Sequence, residues 1–306
     1  VDGKGKLSSS RGPITYRVLL RGGKSHSILV KIPFVDLLSP EEVESLQGKS
    51  WDVERAEVKA YWKSRIAEGT QIHTGVRDMD DFYKALLTHI LINDDHEVDS
   101  NRIMGRVSSF NYGNFSNEAI MQILELDRRG YHEEARRHLD TYLHYQGTVA
   151  LPGNFKGKDG LFYGSGGYES GSYNQHHGWI LWGLAEHFRY TGDEAWMREI
   201  ADGLVAGCEW IIRERRATMT DDGRGRRCLE YGFLPAGSVE DVREFCYWLS
   251  TNNLTYRGLA AAAEALESIG HPEGPRLVSE ARMYRDDLIE GIQESMVRSP
   301  VVPLGD

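Results

Sequence analysis

Residues 174–197 read NQHHGWILWGLAEHFRYTGDEAWM, and their pattern predicts two helices joined by a short turn. The run 179–185 is apolar on more than one side, which predicts a helix that is buried all round. Gly192 ends that helix, and a new helix start follows at once. The next segment carries apolar residues at every fourth position, which predicts a helix with one buried stripe: Trp196, Ile200, Leu204 and Cys208. The stretch therefore predicts a hairpin that joins a buried helix to an outward-lying one.

The same unit recurs before and after this stretch. Segments 118–129 and 252–268 are also apolar on more than one side, and short glycine-containing turns follow them at 129–133 and 269–273. The helix after the last turn again has one stripe: Leu277, Ala281, Tyr284, Leu288 and Ile292. The chain is therefore predicted to be mainly α-helical, an array of antiparallel helical hairpins.

Three long connections precede these hairpins, one ahead of each. They are rich in Gly, Asn, Ser and Asp and cover about residues 94–117, 147–174 and 217–244. Because short turns and long connections alternate, all the long connections should lie at one end of the array. Loops carried by a rigid scaffold are where binding and catalytic sites are built. We therefore expect functional residues at this end, with a helical-repeat scaffold that has no chemistry as the alternative.

The N-terminal part has a different pattern. Two β-rich runs, 14–20 and 27–32, flank the Gly22-Gly23 turn and predict a short β-hairpin. Such a hairpin is marginally stable alone, so it is interpreted as the remnant of a β-domain or as a strand pair packed on the helices. Ser39-Pro40-Glu41-Glu42 then predicts a helix start, because it places an N-cap, a first-turn proline and acidic residues in that order.

These patterns divide the chain into three parts. Residues 1–36 are predicted to be a β-hairpin, the remnant of a β-sandwich. Residues 37–75 are predicted to be linker helices, and residues 76–306 the domain of helical hairpins.

Composition excludes several classes of partner. The formal charge of -10 and the pI of about 5.6 oppose non-specific binding to nucleic acid or to an anionic membrane. No run approaches the roughly 18 apolar residues that cross a bilayer, and residues 1–4 lack the layout of a signal peptide. Three isolated cysteines, Cys208, Cys228 and Cys246, indicate neither a disulfide framework nor a thiolate metal site. Free cysteines favour the cytoplasm, whereas work on polysaccharides often takes place outside the cell.

The order of a β-tail, linker helices and alternating inner and outer helices resembles the six-hairpin glycosidases, the (α/α)6-toroid glycoside hydrolases and phosphorylases. Residues 82–87, FYKALL, are similar to the first outer helix of that group. Residues 174–179, followed by 185–187 and 191–193, are similar to its second inner helix and the turn after it. The resemblance runs along nearly the whole chain and implies a partial toroid with an oligosaccharide or glycoside substrate.

The chain departs from that group in its number of helices. A full toroid has twelve helices, whereas about seven are predicted here. The chain is therefore expected to cover only the N-terminal part of the toroid. In that group the second catalytic carboxylate, or the site for a phosphate nucleophile, lies in the later helices. A second copy of the chain, in a homo-oligomer, would then cover the open side.

The resemblance also implies a general acid. In that group the proton donor lies in the loop before the third inner helix, ahead of an Asn-Asn segment. Here that loop contains Glu240, the first choice, and Asp241, the second, and Asn252-Asn253 follow. Such an acid must stay protonated near neutral pH, through partial burial or a neighbouring anion, to protonate the glycosidic oxygen. A solvated acid pair at a helix N-terminus is the alternative.

The residues around His176 suit carbohydrate binding. Aromatic rings stack on the apolar faces of sugar rings, and imidazole and amide groups bind hydroxyls. Structural hydrogen bonds are the alternative for His176, and Glu118 is equally well explained as an acid at a capped helix start. The predicted sugar-contacting residues are Glu118, Tyr163, Gln175, His176, His177, Trp179, Trp248, Asn252 and Asn253.

No metal or cofactor is predicted. The acidic run 94–99 fits neither the HExxH motif nor an EF-hand loop, and residues 164–167 lack the GK[ST] ending of a phosphate-binding loop. The sequence therefore favours a glycoside hydrolase-like domain that cleaves or binds an oligosaccharide by acid-assisted chemistry. A non-catalytic carbohydrate-binding module and a structural helical array that binds protein are the alternatives.

Overall fold

The computed structural model describes residues 18–97, 100–106, 113–163, 174–239 and 242–298. The chain forms two compact units, which divide between Lys63 and Ser64. This division falls earlier in the chain than the predicted boundary between 75 and 76. Within the described ranges, none of the helices combines the length and the apolar character needed to cross a membrane.

The first unit contains a turn followed by helices. Helix α1 spans Pro40–Gly48, and α2 spans Trp51–Glu68, whose last residues belong to the second unit. The predicted start of α1 is confirmed. Ser39 Oγ accepts the N–H of Glu42 at 3.2 Å, and the Glu42 carboxylate accepts the N–H of Ser39 at 2.9 Å, so each residue satisfies a donor that the helix start leaves free.

The predicted N-terminal β-hairpin is reduced to its turn in the part of the chain that the structure describes. The N–H of Lys24 donates to the carbonyl of Arg21 at 3.0 Å, and Gly23 has a φ of 75°, which glycine adopts without strain. Residues 27–32, the second predicted strand, pair with no described strand. Most of the first predicted strand lies outside the described residues. A β-rich segment that has no neighbouring strand makes no inter-strand hydrogen bonds. Residues that favour strands therefore do not form a sheet by themselves.

The second unit is mainly helical, as predicted. Two small antiparallel sheets lie in its long connections: β1 (Asp94–His96) pairs with β2 (Ile103–Gly105), and β3 (Gly237–Val239) pairs with β4 (Val242–Cys246). Its helices are α3 (Arg77–Ile92), α4 (Ser116–Arg128), α5 (His132–His144), α6 (His176–Thr191), α7 (Glu194–Arg216), α8 (Leu249–Ser268) and α9 (Gly274–Arg298).

Helices α4, α6 and α8 form a layer of parallel helices, the inner helices. Between α6 and α8, Trp182 contacts Arg257 and Arg189 bonds Glu264, so the sequence offset stays the same along the contact. A constant offset means that the two helices run in the same direction. Helix α4 packs on α6 with a similar register, at Asp127–His187 and Arg128–Tyr190. Helix α6 is therefore the central helix of the layer.

Helices α5, α7 and α9, the outer helices, each follow an inner helix after a short turn. Between α6 and α7, His187 contacts Trp196 whereas His177 bonds Gly207. The residue numbers of α7 therefore rise along the contact as those of α6 fall. The two helices are therefore antiparallel. The same relation holds between α8 and α9, through the pairs Asn252–Tyr284 and Glu267–Gly274. Each long connection leads into the N-terminus of an inner helix, so the long connections lie at the same end of the two layers. We call this end the long-loop end.

The core lies between the two layers. The predicted stripes of the outer helices are confirmed except at Ile292, which is half-buried. The buried residues of the stripes are Trp196, Ile200, Leu204, Cys208, Leu277, Ala281, Tyr284 and Leu288. The inner helices, predicted to be buried all round, instead leave one side partly exposed. On α6 this side carries Trp179, Trp182, Glu186 and Arg189, and on α8 it carries Asn253, Arg257, Ala260 and Glu264. Residues three and four apart share one helix face, so each helix has a single free stripe.

Candidate functional site

The second and third long connections join each other at the long-loop end. The N–H of Asn154 donates to the carbonyl of Ala236 at 2.9 Å. Asn174, which is buried, donates through Nδ2 to the carbonyl of Pro152 at 3.0 Å and accepts the Ser238 hydroxyl at 3.2 Å. Because Asn174 satisfies polar groups from both connections, it fixes strand β3 against the loop before α6.

The two predicted catalytic acids, Glu240 and Asp241, lie outside the described residues. Their described neighbours Val239 and Val242 pair with each other across β3 and β4. Helix α8 begins at Leu249, as predicted for the helix after the acids. The described surroundings of the acid pair are thus strands rather than a helix N-terminus.

Trp248 connects strand β3 to the start of α8. It is the N-cap residue of α8, and its indole N–H donates to the carbonyl of Gly237 at 2.8 Å. The side chain is half-buried, so one part of the indole remains open to solvent at the long-loop end.

His177 holds backbone rather than facing a ligand, which differs from the substrate contact predicted for it. Its Nδ1 accepts the N–H of Phe162 at 2.9 Å, so its other nitrogen carries the proton and donates to the carbonyl of Gly207 at 3.1 Å. Burial lowers its pKa to about 3, which keeps the ring neutral at physiological pH. The neutral ring joins the second long connection to α6 and α7.

His176 and Tyr163 form a buried aromatic pair next to His177 in the sequence. Their rings stack with centroids 5.5 Å apart and an interplanar angle of 29°. Burial lowers the pKa of His176 to about 3, so this ring is neutral as well. Gln175, the N-cap residue of α6, is also buried and makes no side-chain cap bond. The structure thus brings these predicted residues together, but under the surface.

Asn252 is likewise a structural residue, contrary to its predicted role in binding sugar. Its Oδ1 accepts the N–H of Leu234 and the hydroxyl of Tyr284, both at 2.8 Å. Its Nδ2 donates to the carbonyl of Trp248 at 2.8 Å. These three bonds are directed inward, since the residue is buried between the third long connection, α8 and α9.

Asn253 and Trp179 occupy the open side of the inner helices. Trp179 is half-buried and meets Trp182 edge to face, with ring centroids 5.2 Å apart. Asn253 is exposed and lines a groove of about 480 Å³ between α6 and α8, the α6–α8 groove. The groove is lined by Trp182, Glu186, Arg189, Asn253, Tyr256, Arg257, Ala260, Ala261 and Glu264.

The charged side chains of the α6–α8 groove are unevenly paired. Arg189 bonds both Glu186 and Glu264, the second at 2.7 Å. Glu186 also accepts the indole N–H of Trp182 at 3.0 Å. Arg257 lies over the Trp182 ring, with its guanidinium carbon 3.7 Å from the ring centroid. No described carboxylate lies within 4 Å of Arg257, so this guanidinium retains free donors.

Glu118 lies apart from these residues. It is exposed in the first turn of α4, whose N-cap residue is Phe115 without a side-chain cap bond. The segment is therefore a helix start, as the alternative interpretation has it, but no side chain caps it.

Asp94 lies 3.0 Å from His138 Nε2, an ion pair when that ring is protonated. Among the described residues no group of three or more His, Cys, Asp or Glu side chains is arranged to hold a metal ion.

Apart from Asn253, the groove residues on the free stripes were not predicted as site residues from the sequence. Trp182, Glu186 and Arg189 continue the spacing of Trp179 by three and four residues, which is the signal that places them on one face. On α8, Arg257 follows Asn253 by four. A helix stripe that contains both Trp and the charged residues Glu and Arg indicates a partly exposed face.

Comparison of the chain with models of protein families, with curated proteins and with solved structures finds no match.

Proposed function

We propose that the chain is a carbohydrate-active domain that binds an oligosaccharide in the α6–α8 groove and protonates its glycosidic bond with Glu240 or Asp241. In this proposal the two helical layers are part of an (α/α)6 toroid of the six-hairpin glycosidase type. The observation that carries the proposal is the edge-to-face pair of Trp179 and Trp182 on the free stripe of α6, of which Trp182 lines the groove together with Asn253.

This placement suits the two surfaces of a sugar ring. Trp179 offers apolar area and a π-face, on which the C–H face of a sugar packs, whereas Arg257 covers one face of the Trp182 ring. Asn253 offers an amide with donors and an acceptor for hydroxyl groups. Both ring nitrogens of His177 bond the backbone, and the rings of His176 and Tyr163 are buried against each other, so the proposal rests on the free stripe instead.

The proposed acids follow strand β3 in the sequence, and β3 is bonded to the start of α8, one of the two helices that form the groove. Trp248 bonds Gly237 in β3, the strand whose last residue precedes Glu240. Five residues of α8 separate Trp248 from Asn253, a rise of roughly 7 Å along the helix. A sugar chain in the groove would therefore extend toward the long-loop end, where the proposed proton donor is carried.

Binding is tested first. Isothermal titration against a panel of oligosaccharides should find a ligand whose affinity falls at least about tenfold in Trp179→Ala, because a stacking surface is lost. Trp51→Ala removes a strongly exposed tryptophan of the first unit and is the matched control, with wild-type affinity expected. Trp182→Ala, which removes a tryptophan that lines the groove, should also weaken binding. Equal affinity in wild type, Trp179→Ala and Trp182→Ala would exclude the α6–α8 groove as the binding site.

Catalysis is tested with the same ligands. Product analysis should find glycosidic cleavage by the wild type, and Glu240→Gln should lower kcat by about 10²- to 10⁴-fold while leaving affinity unchanged, because only proton transfer is lost. Asp241→Asn serves as the companion variant and identifies the donor if its loss is larger. Ligand binding without any cleavage by the wild type would favour a non-catalytic carbohydrate-binding module over a glycoside hydrolase.

A further inference from the structure

Arg257 is held in the α6–α8 groove by an aromatic ring. Its guanidinium carbon lies 3.7 Å from the centroid of the Trp182 ring, a distance at which the cation rests on the ring face. Trp182 is itself fixed by its bond to Glu186 and by its contact with Trp179. The cation therefore has a defined position even though its side chain is exposed.

The other charges of the groove are already used. Arg189 binds both groove carboxylates, Glu186 and Glu264, whereas no described carboxylate lies within 4 Å of Arg257. A guanidinium that rests on an indole face keeps its N–H groups at its edge. That edge matches the two oxygens of a carboxylate, which it binds with parallel hydrogen bonds. The groove thus contains an arginine that is oriented but lacks its anion.

We infer that the sugar bound in the α6–α8 groove is acidic, a uronate whose carboxylate pairs with Arg257. The inference rests on the proposed carbohydrate binding and adds the substrate class. A net charge of -10 repels anions in general, so an acidic ligand needs a specific cation at its site. Trp179 offers a ring to the sugar, Trp182 holds Arg257 in position, and Arg257 selects the sugars that carry a carboxylate.

The experiment compares acidic oligosaccharides with their neutral counterparts. Isothermal titration uses short oligomers of galacturonate, glucuronate and mannuronate, each beside its carboxyl-reduced form, and a sulfated neutral oligomer of similar length. We expect at least one uronate to bind about 10- to 100-fold more tightly than its reduced form, because a hydrogen-bonded charge is lost. Raising the ionic strength should weaken that binding.

Variants connect this preference to Arg257. Arg257→Met should abolish the preference for the acidic form, and Arg257→Lys should restore only part of it, since an ammonium cannot bind a carboxylate through a planar fork. Arg282→Met removes an exposed arginine of α9 outside the groove and should keep the wild-type preference. Far-ultraviolet circular dichroism and thermal unfolding establish that each variant is folded.

The outcomes separate the inference from the proposal beneath it. Equal binding of acidic and reduced sugars, lost in Trp179→Ala, overturns the uronate class and leaves carbohydrate binding intact. Tighter binding of the sulfated oligomer than of every uronate also overturns the carboxylate as the recognised group. Failure of every sugar to bind overturns the proposed function and the inference together.

Discussion

Gly258 approaches Gly178 so closely that a Cβ built on Gly258 would lie 2.4 Å from the carbonyl oxygen of Gly178. A Cβ on Gly178 would in turn lie 2.3 Å from the carbonyl oxygen of Leu254. Backbone atoms thus meet directly where α6 and α8 cross. This close crossing brings the two free stripes together, so that Arg257 reaches Trp182 across the α6–α8 groove.

Gly258→Ala should lower the free energy of unfolding of the second unit by about 1–3 kcal/mol, because the added methyl group forces two backbones apart. Helix propensity alone would favour alanine by about 1 kcal/mol, so the sign of the change separates packing from propensity. Gly183→Ala is the matched comparison, since its methyl group would meet the movable side chain of Ile120 at 2.7 Å. Urea unfolding measures both. A Gly258→Ala protein as stable as Gly183→Ala would contradict the close crossing.

Asp127 joins three helices through a fully buried carboxylate. It accepts Nδ1 of His187 at 2.9 Å and Nδ1 of His132 at 2.9 Å. Asp127→Ala should cost on the order of 3 kcal/mol in the free energy of unfolding, because the buried ring nitrogen of His187 loses its acceptor. His132→Ala should cost less than about 1 kcal/mol, since that side chain is 40% exposed. Denaturant titration checks the ranking, and equal losses in the two variants would rule out this account.

The low pKa of His177 gives the stability a defined pH dependence. Burial lowers the pKa to about 3, whereas a histidine of the unfolded chain titrates near 6.5. Between these values the unfolded chain binds a proton that the folded chain does not. The contribution of neutral His177 to the free energy of unfolding is therefore complete above pH 6.5. It is lost as the pH falls toward 3, by up to about 1.4 kcal/mol per pH unit.

His177→Asn removes this contribution, so its free energy of unfolding should fall less steeply than that of the wild type between pH 6 and pH 4. Leu181→Ala is the control, because it removes a buried core side chain while leaving the titrating groups unchanged. It should keep the wild-type slope at a lower overall stability. Parallel slopes for His177→Asn and the wild type would mean that the pKa of His177 is the same in the folded and the unfolded chain.

The helical hairpin of α6 and α7 was predictable because its signals are local. Gly192 ends α6 with a φ of 64°, and the Asp193 side chain accepts the N–H of Trp196 at 2.9 Å to start α7. The same local signals predict the start of α1 at Ser39. Periodicity likewise predicts the buried stripes of the outer helices, since spacing along a helix is set by its geometry.

The roles of His177 and Asn252 could not be predicted in this way. His177 bonds Gly207, and Asn252 bonds Leu234 and Tyr284, all of which are distant in sequence. An imidazole or amide at the start of an inner helix has the same local sequence whether it faces a ligand or a loop. Burial and the position of these partners decide between the two, and both come from the tertiary fold.

Asn174→Ala should loosen strand β3 at the long-loop end. The substitution leaves the carbonyl of Pro152 and the hydroxyl of Ser238 without their present partner, at a cost of about 1–3 kcal/mol in the free energy of unfolding. Hydrogen exchange should become faster in residues 236–239 while the amides of α9 keep their wild-type protection. Ser238→Ala removes only the second bond and should have a smaller effect.

This loosening also bears on catalysis, because Val239 immediately precedes Glu240. If the proposed acid depends on β3 for its position, Asn174→Ala should lower kcat more than it raises KM, since the α6–α8 groove is unchanged. A rise in KM alone would instead place the connection around Asn174 in sugar binding. Unchanged exchange in residues 236–239 would show that Asn174 does not restrain the strand, and the effect on kcat should then be absent as well.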